Sequence, residues 1–501
     1  MRLLIVFLLL TLCSNGNALK ILLYNPKISK STVGFMNKVG DVLTEGGHEV
    51  VQYMPELDYT FGNGSNSKTA RVIERKCDFV VPDEMQISQL GQDGWTEETN
   101  VLGLYTAEQF DIALTDFFDV CGFAIFDRIG IQKHIMLYSA YLISLHGGVF
   151  GIPQTPSFVP DFEVFGNPVK GLTFYERFMS QISFLMSKPA FDVALMQRTA
   201  DSFKENGINT DLHEMMTRSS YVFVNTDEHV DFPRPISHKI INIGGLRMKS
   251  MQTQGKLDEK YQKIFDNARL GVIFVSFGSI ASSYHMPNQT KEAFLDAFIA
   301  FPEIEFLWKY EKPEDPVVQG YKNVHVGAWL PQKEIFAQEK LIGFVSHGGM
   351  NSISEATYSG IPIIAVPLFG DQPRNALMVE SREIGIVLNK RQLTSENIIR
   401  AFRQIIEDKT FKQNARQISQ MIREKPTSPD ERVLKYTEHA AKFDISKNLD
   451  LPGRHLNTVV FYNLDVWTLI IMIVGVFSYI LFKAFAICCQ QFCLEKWKNK
   501  E

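Results

Sequence analysis

The chain has 501 residues, 45% hydrophobic and 21% charged, with a formal net charge of −5 at pH 7. Those proportions exclude a disordered, collagenous or low-complexity chain, and the acidic balance leaves no general basic field for nucleic acid. Six cysteines exclude a disulfide scaffold, and at roughly 150 residues per domain two or three domains are expected.

Met1-Arg2 precede an apolar run, Leu3 to Leu12, and the small or polar residues Ser14 to Ala18. A charged start, a short apolar core and a small-residue boundary predict a signal peptide over 1–18. Leu19 to Asn25 reads as a strand, Pro26 to Ser31 as a polar turn and Val33 to Glu45 as a helix stopped by Gly46-Gly47. His48 to Tyr53 then completes a βαβ unit, which predicts a parallel sheet. A second set follows: strand Phe110 to Asp116, a helix to about Ile129, strand Ile135 to Ser139, and later strand Tyr221 to Asn225. Residues 55–105 and 150–215 are less regular and are expected to carry helices and loops that shape a pocket. His146-Gly147-Gly148 looks like a phosphate turn but lacks a downstream Asn and Glu, so it is discounted.

Between about Ile243 and Lys260 the chain turns polar, a domain boundary. A fresh βα series starts there: strand Val272 to Phe277, a helix near 290–300, strands Glu305 to Trp308 and Ile342 to Ser346, helix Asn351 to Ser359, strand Ile361 to Val366, then mainly helices over 373–442. The expectation is an α/β protein of two doubly wound, Rossmann-like domains, 19–245 and 246–450, with a ligand in the cleft between them. Val466 to Phe482 carries no charge, and after Lys483 the apolar run resumes to Cys489. A transmembrane helix is predicted over 466–489, about 36 Å long. The tail 490–501, with Lys496, Lys498 and Lys500, is cytosolic by the positive-inside rule, so the domains are lumenal in a type I protein. Asn63-Gly64-Ser65 and Asn288-Gln289-Thr290 are glycan acceptor patterns, and Cys77 with Cys121 suffice for one disulfide or two buried thiols.

The segment that carries chemistry runs from Trp329 to Asn375, with WLPQ at 329–332 and SHGGMNSISEATYSGIPIIAVPLFGDQPRNA from Ser346. A strand, a glycine-containing turn and a helix N-terminus present free N–H groups to an anion. His347 and Asn351 add side-chain donors. Glu355, one turn beyond Asn351, suits the two hydroxyls of a ribose. Asp371-Gln372 follows a strand end, where ligands sit in parallel sheets, and acid plus amide suits sugar hydroxyls. Trp329 offers a flat face for a base. Together these residues spell a nucleotide sugar. No G-x-G-x-x-G run, C-x-x-C or H-E-x-x-H is present, which weakens an oxidoreductase reading and predicts no metal or other cofactor.

With these motifs, FDIALTD (110–116), GIPQTPSFVP (151–160) and FVSFGS (274–279), the chain resembles the UDP-glycosyltransferases, most closely the membrane-bound UDP-glucuronosyltransferases of animals and their invertebrate members. The resemblance implies a GT-B fold and a hexosyl transfer with inversion, from UDP-glucuronic acid or UDP-glucose to a small lipophilic acceptor on the N-terminal domain. It implies that Trp329 stacks on uracil with Gln332 beside it. Ser279, His347, Gly349, Asn351 and Ser352 would hold the diphosphate, Glu355 the ribose, and Asp371 and Gln372 the transferred sugar. It also implies residence in the endoplasmic reticulum and a role in detoxification or hormone conjugation. A homo- or hetero-oligomer stays open. One departure is plain. The family's general-base His falls at Thr32, and a threonine hydroxyl is no base at neutral pH. The partner carboxylate, Asp116, remains. Either Asp116 takes the proton, directly or through water, or it is a strand-end carboxylate. The alternative function is then a catalytically impaired UDP-sugar-binding partner of other transferases.

Overall fold

The computed structural model describes residues 18–56, 67, 69, 71–75, 108–161, 163–191, 196–205, 207, 211–248, 256–279 and 281–498. Residues 1–17 of the expected signal peptide, Asn63 and Cys77 lie outside the described residues.

Two parallel sheets follow one another in the chain. The first runs β3-β2-β1-β4-β5-β6-β7, built from β1 (Lys20–Tyr24), β2 (Glu49–Pro55), β3 (Arg71–Arg75), β4 (Ile112–Asp116), β5 (His134–Tyr138), β6 (Val222–Val224) and β7 (Ile240–Asn242). The second runs β10-β9-β8-β11-β12-β13, built from β8 (Gly271–Ser276), β9 (Ile304–Lys309), β10 (Val324–Gly327), β11 (Leu341–Ser346), β12 (Ile363–Ala365) and β13 (Gly385–Val387). Strands such as KILLY, IALTD and GVIFVS are buried along nearly their whole length, because helices cover both faces of each sheet. Strand order reverses between β1 and β4 in the first sheet and between β8 and β11 in the second. A crevice opens at that reversal, beyond the carboxyl ends of the strands.

The helix after β1 spans Lys30–Glu45, three residues earlier than apolar spacing predicts. Ser29 caps it: its hydroxyl accepts from the Thr32 N–H at 3.2 Å and donates to the Thr32 hydroxyl at 2.9 Å. Lys30, Ser31 and Thr32 carry no hydrophobic signal, so the cap rather than the periodicity marks the start. Gly47, at φ +93°, ends the helix. Strands β3, β7, β10 and β13 were not expected. They are short, and β3 reads RVIER, so neither length nor composition announces them.

The helix Pro429–Lys442 follows the second sheet in the chain but lies on the first, against the helix 30–45 and strands β4 and β5. Val433 and Ala440 are fully buried there beside Leu43, Val39 and Ile135. Beyond it, Leu464–Lys498 is one continuous helix, and its stretch Leu464–Gln490 is long and apolar enough to cross a bilayer.

Candidate functional site

The crevice of the second sheet is lined by the loop after β8 and the turn after β11. Gly278 and Gly348 take φ +84° and +85°, which lets both backbones turn sharply towards the crevice. The His347 ring lies between them. A Cβ on Gly278 would sit 2.6 Å from His347 Cε1, and a Cβ on Gly349 would sit 2.5 Å from Nε2. Only glycine on both sides leaves room for the imidazole. Ser279 is exposed in the turn next to Gly278. Gly349 then caps the helix Met350–Tyr358 with no side-chain hydrogen bond, so the N–H groups of its first turn, Asn351 and Ser352 included, face the crevice without an internal cap.

His347 is pushed down to about 4, first by burial and then by the Lys309 charge. It is therefore neutral at pH 7, and its buried Nδ1 has no hydrogen-bond partner among the described residues. The fixed positive charge here is Lys309, at the end of β9. Its ammonium donates to Gly278 O at 2.6 Å, pairs with Glu311 at 3.0 Å and lies 6.0 Å from the centre of the Trp329 ring. Sequence reading missed Lys309. The signal was available, since a lone cation ends the apolar strand IEFLWK at the edge where ligands bind.

Trp329 is 75% exposed, a large aromatic face unused by the core. Glu355 is buried on the helix 350–358, where one carboxylate oxygen accepts from Gln332 Nε2 at 2.6 Å and the other lies 3.5 Å from Lys38 Nζ. Gln372 is buried too, and its Oε1 accepts from the Leu368 and Phe369 N–H groups at 2.8 and 3.1 Å, which leaves the amide nitrogen to donate. Asp371, at the head of the helix Gln372–Ser381, accepts from Asn375 at 2.6 Å, and burial raises its carboxyl above the usual range. Asn375 in turn donates to Gly348 O at 3.1 Å, tying the helix 372–381 to the turn after β11.

The opposite wall comes from the first sheet. Asn225, just after β6, donates to Asn351 Oδ1 at 3.1 Å, and Asn351 Nδ2 lies 3.5 Å from Ser31 O. Ser31 and Lys38, seven residues apart on one face of the helix 30–45, thus meet Asn351 and Glu355, four apart on the helix 350–358. Thr32 follows Ser31 and is buried. Asp116 ends β4, the strand beside β1, so the two come out at the same crevice. Its carboxylate accepts from the Phe118 and Ser139 N–H groups at 2.9 and 3.0 Å, yet burial outweighs both bonds and raises it to about 7. His146 lies in the helix Ser144–Val149, not in a turn, with its ring 3.6 Å from that of Phe117. Asn288 is exposed at the start of the helix Asn288–Ile299.

Residues 91–500 match the family described as UDP-glucoronosyl and UDP-glucosyl transferase. The Caenorhabditis elegans relative ugt-50 is 28% identical over 93% of this chain and 94% of its own length. UDP-glucuronosyltransferase 3A1 of Bos taurus is 31% identical over 66% of this chain and 62% of its own. Among solved structures, a UDP-glucosyltransferase from Polygonum tinctorium superimposes with a TM-score of 0.59 at 15% identity, covering 86% of this chain and all of that one. The two-sheet architecture is that of the GT-B glycosyltransferases.

Proposed function

The chain belongs to the UDP-glucoronosyl and UDP-glucosyl transferase family, and from that premise we propose that it moves glucuronic acid or glucose from UDP to a small lipophilic acceptor, with inversion at the anomeric carbon. One observation carries this reading. The uncapped helix start at 350–352, the neutral His347 and the Lys309 ammonium converge on one crevice, and the first turn of the helix 30–45, which bears Thr32, and the strand end bearing Asp116 face it.

In this reading Trp329 stacks on uracil and Gln332 lies beside it. Ser279, His347, Gly349, Asn351 and Ser352 bind the diphosphate, Glu355 exchanges its Lys38 contact for the ribose hydroxyls, and Asp371 and Gln372 hold the sugar. The domain 19–245 binds the acceptor and 246–450 the donor. The acceptor atom attacks the anomeric carbon from the side away from UDP. The bond from that carbon to the phosphate oxygen breaks, its electron pair leaves on UDP, and the acceptor proton passes to Asp116 or to water. Backbone N–H groups and the Lys309 charge offset the charge that develops on the leaving diphosphate. The apolar helix anchors the protein as type I in the endoplasmic reticulum, domains lumenal and glycosylated at Asn288, tail cytosolic.

The test is UDP release by the membrane-embedded chain given UDP-glucuronic acid or UDP-glucose with alcohol, phenol and amine acceptors. Turnover with at least one acceptor is expected. UDP binding with no release for any acceptor would leave only the UDP-sugar-binding partner. Trp329→Ala is expected to weaken UDP binding by roughly ten- to a hundredfold, the worth of one stacked base, while Trp329→Phe keeps most of it. Equal affinity in the alanine variant would remove Trp329 from the donor site.

A further inference from the structure

The helix Gln372–Ser381 carries Asp371 and Gln372 at its head, and it is fastened to the first domain at both ends. Arg382, just past its last turn, donates through Nε to Val230 O at 3.1 Å and through Nη2 to Asp231 O at 2.5 Å. Lys170 donates to Glu380 at 2.7 Å, and Ser381 donates to Asn167 at 3.0 Å. Near the head the contact is a buried charge. Arg374 has no exposed surface, its Nε donates to Pro160 O at 2.9 Å, and its Nη2 pairs with Asp231 at 2.7 Å. Its guanidinium lies 4.0 Å from the centre of the Tyr141 ring, with the Phe232 ring at 5.3 Å. Tyr141 in turn donates its hydroxyl to Asp161 at 3.0 Å. All of these partners belong to the first domain. Acceptors at its edge and an aromatic face fix a guanidinium in direction as well as in place, which an ammonium on a flexible stem does not achieve. A buried charge stripped of its partner is costly, so the clasp holds as long as the domains are folded.

The clasp closes a short path between the two halves of the proposed reaction. Asp116 accepts from the Ser139 N–H at 3.0 Å. Two residues further on, Tyr141 stacks on Arg374, and two residues back from Arg374 comes Gln372, next to Asp371. The contacts that the helix 350–358 makes across the cleft are of another kind. Asn351 meets Asn225 at 3.1 Å and Ser31 O at 3.5 Å, and Glu355 meets Lys38 at 3.5 Å. Ser31 is exposed there, Asn351 and Lys38 are half-buried, and the ribose replaces the Lys38 contact in the proposed donor complex. Arg374, Tyr141 and Asp231 hold no part of the donor in that complex, so their contact stays in place while the donor binds. It is the fixed point of the cleft.

We propose that Arg374 is a positioning residue: clasped by Tyr141, Asp231 and Pro160, it sets where Asp371 and Gln372 present the sugar relative to Asp116 on the acceptor side. The inference rests on the proposed donor site. The experiment uses the full chain in membranes, counts UDP sites by calorimetry and measures transfer per site with an acceptor that wild type turns over. Tyr141→Leu removes the ring and leaves the ion pair, Arg374→Lys keeps the charge and loses the planar fork, and Tyr141→Phe keeps the ring as the conservative control. In the leucine and lysine variants UDP affinity and sites per chain are expected within about threefold of wild type. Their kcat per site is expected to fall by about ten- to a hundredfold, the cost of displacing the sugar by about an ångström. The phenylalanine variant is expected within about threefold of wild type in all three readouts. A kcat per site within that margin in either the leucine or the lysine variant overturns the proposal. So does a loss of UDP affinity or of sites that matches the loss of activity, which makes the clasp a support of the fold alone. Wild type that binds UDP and transfers to no acceptor overturns the proposed function and this inference with it.

Discussion

Gly349→Ala is expected to lower kcat/KM by about a hundred- to a thousandfold, the cost of losing a preorganised donor at a developing charge. The backbone is not the reason, since Gly349 sits at φ −63°, which alanine adopts freely. The new methyl would fall 2.5 Å from His347 Nε2. The ring is also hemmed in by Gly278, where a Cβ would fall 2.6 Å from Cε1 and 2.8 Å from Nε2. Alanine must therefore displace the imidazole or the helix start, and either moves the N–H groups at 350–352. The loss should fall on the diphosphate, so UDP affinity drops while uridine, which the proposed donor site holds through Trp329 and Glu355, is weakened far less. Calorimetry with both ligands and a UDP-release assay separate the two. An alanine variant within about threefold of wild type in both would remove the turn after β11 from the donor site.

The turn, the helix start and the Glu355 and Asp371-Gln372 positions were legible in the sequence because they are local. A strand, a glycine turn and a helix in unbroken succession fix where each side chain emerges. What stayed hidden is what the chain brings from afar. Lys38 and Glu355 are more than three hundred residues apart, and their contact depends on two helices meeting across the cleft. The charge state of His347 was hidden as well. Its residue type suggests a cation for the diphosphate, yet burial beside Lys309 makes it a neutral donor and leaves the lysine as the cation. The same limit hides the short strands β3, β7, β10 and β13, which are strands because a neighbour pairs with them, not because their own residues insist on it. The helix Phe174–Phe191, whose apolar side is exposed, is a different case. Its periodicity is visible in the sequence, but periodicity alone does not say whether the apolar side faces the core or away from it.

Asp116 sets the second large expectation. Its carboxyl is raised to about 7 by burial, so below that pH it holds a proton in the folded chain and cannot accept one. If it is the base that replaces the missing histidine, kcat/KM for alcohols and phenols rises with pH through about 7 and then levels. Asp116→Asn should abolish that inflection and lower the plateau by about a hundredfold or more, with UDP affinity unchanged as the control for folding. Stability follows the opposite sign. A carboxyl whose folded value lies above its unfolded one stabilises the protonated chain, so this contribution is complete below about 4 and is lost as pH climbs through about 7. Activity thus rises over the range in which this group's contribution to stability declines, and the two curves identify one group from two sides. Thr32→His completes the test. An imidazole at position 32, in the first turn of the helix 30–45, should raise turnover of aliphatic alcohols by about a hundredfold or more and leave amines, which need little help with deprotonation, close to wild type. A wild-type profile without an inflection near 7, together with an asparagine variant as active as wild type, would make Asp116 a strand-end carboxylate and leave the acceptor proton to water.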